Sequence, residues 1–149
     1  MTYNALRKGR FSEPNRAYFI TAVIRDRRPV FSDLYIARML VRQMRVLHDE
    51  GTVSSLAWVV MPDHLHWLFQ LGDSASLKKT IGMLKGRSSR QINRHLGHEG
   101  ALWQTAFHDH ALREEEDLRE VARYIVANPL RAKLVASLSE YPHWDAVWL

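Results

Sequence analysis

Two rhythms of apolar residues run through the chain, one of period two or unbroken, the other of period three to four. Together they divide it into strands and helices. Residues 17–24, AYFITAVI, are aromatic and β-branched and predict a buried strand. Ser32 or Asp33 can cap a helix that carries Leu34, Ala37, Val41 and Met44 at helical spacing and ends near Gly51. LAWVVM (56–61) predicts a second strand, Pro62-Asp63 a tight turn, and HLHWLFQL (64–71) a third strand paired back on the second. Residues 76–95 predict a second helix with Leu77, Ile81 and Leu84 inward and its basic residues outward. A Gly-rich loop (97–101) leads to a short fourth strand around 107–112. The run EEEDLREVARYIVAN predicts a third helix, whose acidic first turn suits the positive end of the helix dipole and which Pro129 ends.

The order strand, helix, strand, strand, helix, strand, helix predicts an α+β fold. The expected form is a ferredoxin-like or RRM-like antiparallel sheet, with helices packed on one face and an extra C-terminal helix carrying Tyr124. There is no internal repeat, low-complexity tract or Pro/Gly-rich linker, so residues 1–149 read as a single domain. Residues 1–16 form a basic, irregular arm (Arg7, Lys8, Arg10, Arg16), and residues 130–149 a short C-terminal tail.

Composition narrows the partners. No apolar run reaches the roughly 18 residues of a membrane span, and the N-terminus lacks a signal-peptide core, which points to the cytoplasm. The absence of cysteine excludes disulfides and thiolate metal sites. A net charge of +5 favours an anionic partner. Lys78, Lys79, Lys85, Arg87, Arg90 and Arg94 fall in one stretch without an acidic residue, whereas Glu114, Glu115, Glu116 and Asp117 are bunched elsewhere. A lysine-rich solubilising face is the alternative reading of the basic stretch.

The third strand separates two chemistries. Alternate side chains share a face, so Leu65, Trp67, Phe69 and Leu71 form an apolar row that must meet helices, while His64 and His66 point the other way. Two neutral imidazoles at this spacing can chelate one divalent ion. Taken alone, the pattern reads more simply as two surface histidines on a half-exposed strand. A second pair, His108 and His110, lies on the fourth strand. In the ferredoxin-like order the third and fourth strands flank the first, about 9–10 Å apart, too far for one zinc ion to collect all four rings. Contact with a phosphate, or a plain surface position, suits the second pair better. On the third helix Leu118, Val121, Ala122 and Ile125 form the inward stripe, with Tyr124 and Asn128 beside each other at its edge. By itself such a tyrosine is usually a boundary residue bonded through its hydroxyl.

Several segments together resemble the REP-associated tyrosine transposases, a branch of the single-tyrosine HUH transposases. They are GRF (9–11), VVMPDHLHWLF (59–69), LKGRSSRQIN (84–93), LWQTAFHDHALR (102–113), RYIVANPLRAKLV (123–135) and YPHW (141–144). MPDHLH followed by YIVANP is the specific pairing; each half alone is weak. The resemblance implies that His64 and His66 are the HUH histidines and Tyr124 the catalytic tyrosine. It also implies that Asn128 is a third metal ligand, with Mg2+ or Mn2+ as cofactor. The implied partner is the single-stranded or hairpin DNA of palindromic elements, held by Arg10, Lys85, Arg87 and Arg90, by a monomer or homodimer in the cytoplasm at the nucleoid. Lys133 stands where the family usually has a glycine, and the tail after Trp144 is short.

The implied reaction is metal-dependent nicking and strand transfer through a 5′-phosphotyrosine. Imidazole ligands suit manganese better than magnesium, which prefers oxygen. Two other classes compete. An RRM-like, non-catalytic binder of single strands explains the charge and fold but gives His64, His66 and Tyr124 no joint role. A zinc hydrolase built on both histidine pairs lacks a carboxylate base beside them.

Overall fold

A computed structural model describes residues 12–112, 115–134 and 141–146. The predicted succession is present: strands β1 (Ala17–Val23), β2 (Val53–Met61), β3 (His64–Leu71) and β4 (His108–Leu112), and helices α1 (Leu34–Asp49), α2 (Leu77–Leu96) and α3 (Glu115–Val126). A short helix α4 (Asn128–Arg131) and a strand β5 (Trp144–Ala146) follow. The sheet is antiparallel in the order β4-β1-β3-β2-β5.

The caps explain where helices begin. Asp33 accepts from the backbone N–H groups of Tyr35 and Ile36, and Ser76 from that of Lys79. Gly97, left-handed at φ 66°, closes α2. Leu34, placed on the helix stripe by its spacing, is instead exposed; the buried face of α1 runs through Ile36, Ala37, Leu40, Met44 and Leu47. Pro129 does not simply end the third helix: it occupies the first turn of α4, where its missing N–H costs nothing.

Both faces of the sheet are covered. Leu65, Trp67, Phe69 and Leu71 join Tyr18, Ile20 and Ala22 beneath α1 and α2 in one core. Across the sheet, Ala57, Val59, Met61 and Leu68 pack with Ala122, Ile125 and Val126 of α3 and with Ala146 of β5 in a second. β2 faces both cores by alternation, and a bulge at Ser55–Ala57 shifts that alternation by one residue. The predicted strand, starting at residue 56, missed the half before the bulge. The short C-terminal tail supplies β5: its Trp144, Asp145 and Ala146 pair with Val59, Trp58 and Ala57 at the edge of β2. Three residues with few β-branched side chains gave no strand signal; the open edge of β2 recruits them.

After β1 the chain makes a turn of 3-10 helix (Arg25–Arg27) in which Asp26 and Arg27 are both left-handed, at φ 60° and 50°. Such a conformation costs an L-residue roughly 1–2 kcal/mol, so the turn must be held by its surroundings.

Candidate active site

The face of the sheet that carries α3 also carries the histidines. Register places Thr21 opposite His66, Val23 opposite His64 and Val59 on the other side of His66. All share one face, because partners in an antiparallel ladder project the same way. The two imidazoles are half-buried, their centroids 4.7 Å apart and their planes at 79°.

Each ring is held at Nδ1. For His64 the partner is Asp63 Oδ1 at 2.7 Å, and for His66 it is Thr21 Oγ1 at 2.8 Å. When Nδ1–H donates to these oxygens, the Nε2 lone pair of each ring is left for a metal. Asp63 is tied in turn to Arg27 Nη1 through Oδ2, at 3.2 Å. Burial alone would push the Asp63 carboxyl up, but the His64 hydrogen bond and charge, with Arg27, hold it below its ordinary range. Burial, the neighbouring His64 and the charge of Arg131 push His66 down to about 3. His66 is therefore neutral near pH 7, the form in which imidazole binds metal.

Tyr124 lies on the same side. Its ring meets Phe19 edge-on at 6.5 Å, and Phe19 lies 5.4 Å from His66. The Arg131 guanidinium sits 3.8 Å from the centroid of the Tyr124 ring, a cation–π contact made possible by the seven-residue spacing, two helical turns. Tyr124 is 54% exposed. Asn128 is half-buried at the start of α4, one turn beyond Tyr124.

The second pair, His108 and His110, occupies the same face, exposed on edge strand β4. Thr21 pairs with His66 on one side and with His108 on the other, so the pairs are two strand spacings apart, about 9–10 Å. Among the described residues no group of three or more His, Cys, Asp or Glu is arranged to hold a metal.

The basic candidates lie elsewhere. α2 covers the opposite face of the sheet from the histidines. Lys85 Nζ reaches the carbonyl oxygens of Gln104 and Ala106 at 2.9 and 3.1 Å, and Arg87 pairs with Glu50 at 3.5 Å. Arg90 is exposed, and Arg10 lies outside the described residues. Sequence reading missed Thr21, Asp63, Phe19, Arg27 and Arg131. The helical spacing could have found Arg131; Thr21 and Phe19 needed the register of β1 against β3.

The family model described as "Transposase IS200 like" matches residues 13–128. A REP-associated tyrosine transposase of Escherichia coli K12 is 28% identical over 130 residues, covering 84% of this chain and 73% of its own length. A Haemophilus influenzae protein that carries the same name provisionally is 28% identical over 138 residues, covering 85% and 77%. Among solved structures, a REP-associated tyrosine transposase bound to a REP hairpin superposes with a TM-score of 0.75 at 24% identity, covering 91% of this chain and 79% of the other. At that identity the likeness speaks to the fold.

Proposed function

Because this chain belongs to the family of IS200-like transposases, we propose that it nicks and rejoins single-stranded DNA at REP-type palindromic hairpins through a covalent bond to Tyr124. The reading rests on one juxtaposition: an exposed tyrosine, bracketed by Phe19 and Arg131, on the sheet face that carries two paired imidazoles.

Tyr124 supplies the nucleophile. Its phenol oxygen bonds to phosphorus as the bond to the 3′ oxygen breaks, leaving a 5′-phosphotyrosine and a 3′-hydroxyl; the phenol proton passes to solvent and solvent protonates the departing 3′ oxygen. The ester keeps the energy of the broken bond, so a second 3′-hydroxyl can reverse the step on another strand without ATP. Arg131 holds the tyrosine ring and brings positive charge toward the phosphate. His64 and His66, fixed at Nδ1 by Asp63 and Thr21, fit a divalent ion through Nε2, with Asn128 as the third ligand. Bound there, Mg2+ or Mn2+ would neutralise phosphate charge and orient it. Arg90, exposed on α2, and Arg10 are retained as DNA contacts. Lys85 and Arg87 reach DNA only by giving up their internal partners. The chain would meet its DNA in the cytoplasm, at the nucleoid; no helix among the described residues is long and apolar enough to cross a membrane.

Incubation with hairpin oligonucleotides taken from palindromes flanking the gene, followed by a denaturing gel, tests the reading. The wild-type chain should form a covalent adduct with Mn2+ present, and Tyr124→Phe should form none while binding the same hairpin. Hairpin binding without any adduct in the wild type would favour the non-catalytic RRM-like reading. An adduct in Tyr124→Phe would remove Tyr124 from the chemistry.

A further inference from the structure

The strained turn after β1 has no part in the chemistry above, yet it abuts the site. Arg25, Arg27 and Arg28 crowd around the single acid Asp26, and Arg25 and Arg27 are exposed. Backbone bonds lock the turn from several directions. Ile24 N–H donates to Asp63 O at 2.9 Å, Arg25 N–H to Leu102 O at 2.9 Å and Arg27 N–H to Ile24 O at 2.9 Å. The following segment is pinned by Phe31 N–H to Pro62 O at 3.0 Å. The turn is thereby fastened to the same Pro62-Asp63 corner from which His64 departs.

An exposed ion pair such as Arg27–Asp63 contributes too little to offset two left-handed residues. Strain of this kind persists where it places a group that is needed. Here it places Arg27, whose side chain is 64% exposed although Nη1 is held 3.2 Å from Asp63 Oδ2. One donor of the guanidinium is spent; others of its five remain for an anion, in the planar fork that suits a phosphate. The opposite oxygen of the same carboxylate holds His64 Nδ1 at 2.7 Å.

We propose that the Arg25–Arg28 turn seats a DNA backbone phosphate neighbouring the one that is cut, with Arg27 as its contact. The chain Arg27–Asp63–His64 ties that seat to the orientation of the His64 ring. The inference rests on the DNA-cutting reading of Tyr124 and the histidine pair. Arg27 is a positioning residue in this scheme: it acts on the metal ligand through Asp63 and on the DNA through charge.

Two measurements separate these roles without relying on turnover. In a Tyr124→Phe background with EDTA, hairpin binding is followed across salt concentrations. Arg27→Ala should weaken binding and make the slope of log K against log salt shallower by about 0.7–0.9, one phosphate contact. Arg27→Lys, which keeps the charge, should restore most of the slope. Without DNA, Mn2+ affinity is read from the electron paramagnetic resonance of the free ion. Asp63→Asn should lower it by about 10–100-fold, as for other groups that orient a ligand histidine, and Arg27→Ala by roughly tenfold. An unchanged slope in Arg27→Ala overturns the phosphate seat. An Mn2+ affinity that falls in Asp63→Asn but not in Arg27→Ala overturns the coupling. A missing wild-type adduct, with a slope that still drops in Arg27→Ala, overturns the cutting reading and keeps the seat.

Discussion

His64 and His66 stand on β3, in the middle of the sheet; His108 and His110 stand on β4, at its edge, on the same face. The spacing is identical and the surroundings are not. On β3 each ring has a neighbour strand on both sides. Thr21 comes from β1 by register, Asp63 from the hairpin corner, and α3 and α4 bring Tyr124 and Arg131 over the top. α3 packs over β2, β3 and β5 and reaches β4 at Leu112, while both β4 histidines are exposed. A His-x-His motif becomes a candidate site when the strand is central enough for its neighbours to fix both rings and still leave one nitrogen of each accessible.

The comparison breaks most directly on activity. His64→Ala or His66→Ala should lower adduct formation by at least about a thousandfold, as expected when stabilisation of phosphate charge is lost. The double variant His108→Ala/His110→Ala should change it by about twofold, the scale of an ordinary surface substitution. Equal losses in a denaturing-gel time course would erase the distinction between the pairs.

Trp67 sharpens the contrast from the opposite side of β3. It is next in sequence to His66 yet fully buried beneath α1 and α2, with Nε1 donating to Ser55 Oγ at 2.9 Å. Trp67→Ala should therefore cost about 3–5 kcal/mol in denaturant unfolding, a core cavity plus an orphaned hydroxyl. His66→Ala should cost far less. A reversal of that order would invert the facing of β3.

Much of this was legible before any coordinates. The alternation in HLHWLFQL assigned the histidines and the core row to opposite faces, and four strands and three helices fell where the rhythms put them. What escaped depends on contacts between distant segments. Thr21 becomes a histidine partner only through the register of β1 on β3. The bulge in β2 and the pairing of β5 answer to the shape of an edge. The basic residues of α2 looked like one surface, but Lys85 and Arg87 are spent on a loop and on the end of α1. Charge counted along the sequence does not say which cations have internal partners.

His66 should also respond to acid. His66 is pushed down to about 3 from an ordinary 6.5, so the folded chain refuses a proton that the unfolded chain accepts. Its contribution to stability is complete above pH 6.5 and is lost as pH falls from there toward 3, at up to about 1.4 kcal/mol per pH unit. Asp63, also pushed down, adds its loss only below its ordinary value of 3.8. Unfolding free energies measured in EDTA between pH 7 and 4.5 should slope for the wild type and flatten in His66→Ala. A wild-type slope that persists in His66→Ala would place the acid-sensitive proton elsewhere.

The smallest effect concerns the helical wall beside the central pair. Arg131, stacked on Tyr124, belongs to α4, and Lys133 closes that helix at φ 58°. The closing bonds run from Leu134 N–H to Pro129 O and from Lys133 N–H to Leu130 O, both 3.0 Å, the paired pattern that a left-handed residue at a helix end creates. Glycine enters this conformation freely, whereas a lysine Cβ crowds the adjoining carbonyl. This gives a physical reason for the glycine usual at the corresponding position in the resembling family. Lys133→Gly should relieve about 1–2 kcal/mol of strain, partly offset by the greater freedom of glycine in the unfolded chain. The net gain should be about 0.5–1 kcal/mol, or roughly 1–4 °C in melting temperature for a domain of this size. Adduct formation should hardly change, because the exposed lysine side chain takes no part in the Tyr124 contact. A lower melting temperature in Lys133→Gly would mean that the lysine side chain makes a contact outweighing its backbone strain. The end of α4, and with it the placing of Arg131 over Tyr124, would then be held by that side chain rather than by the helix-closing bonds.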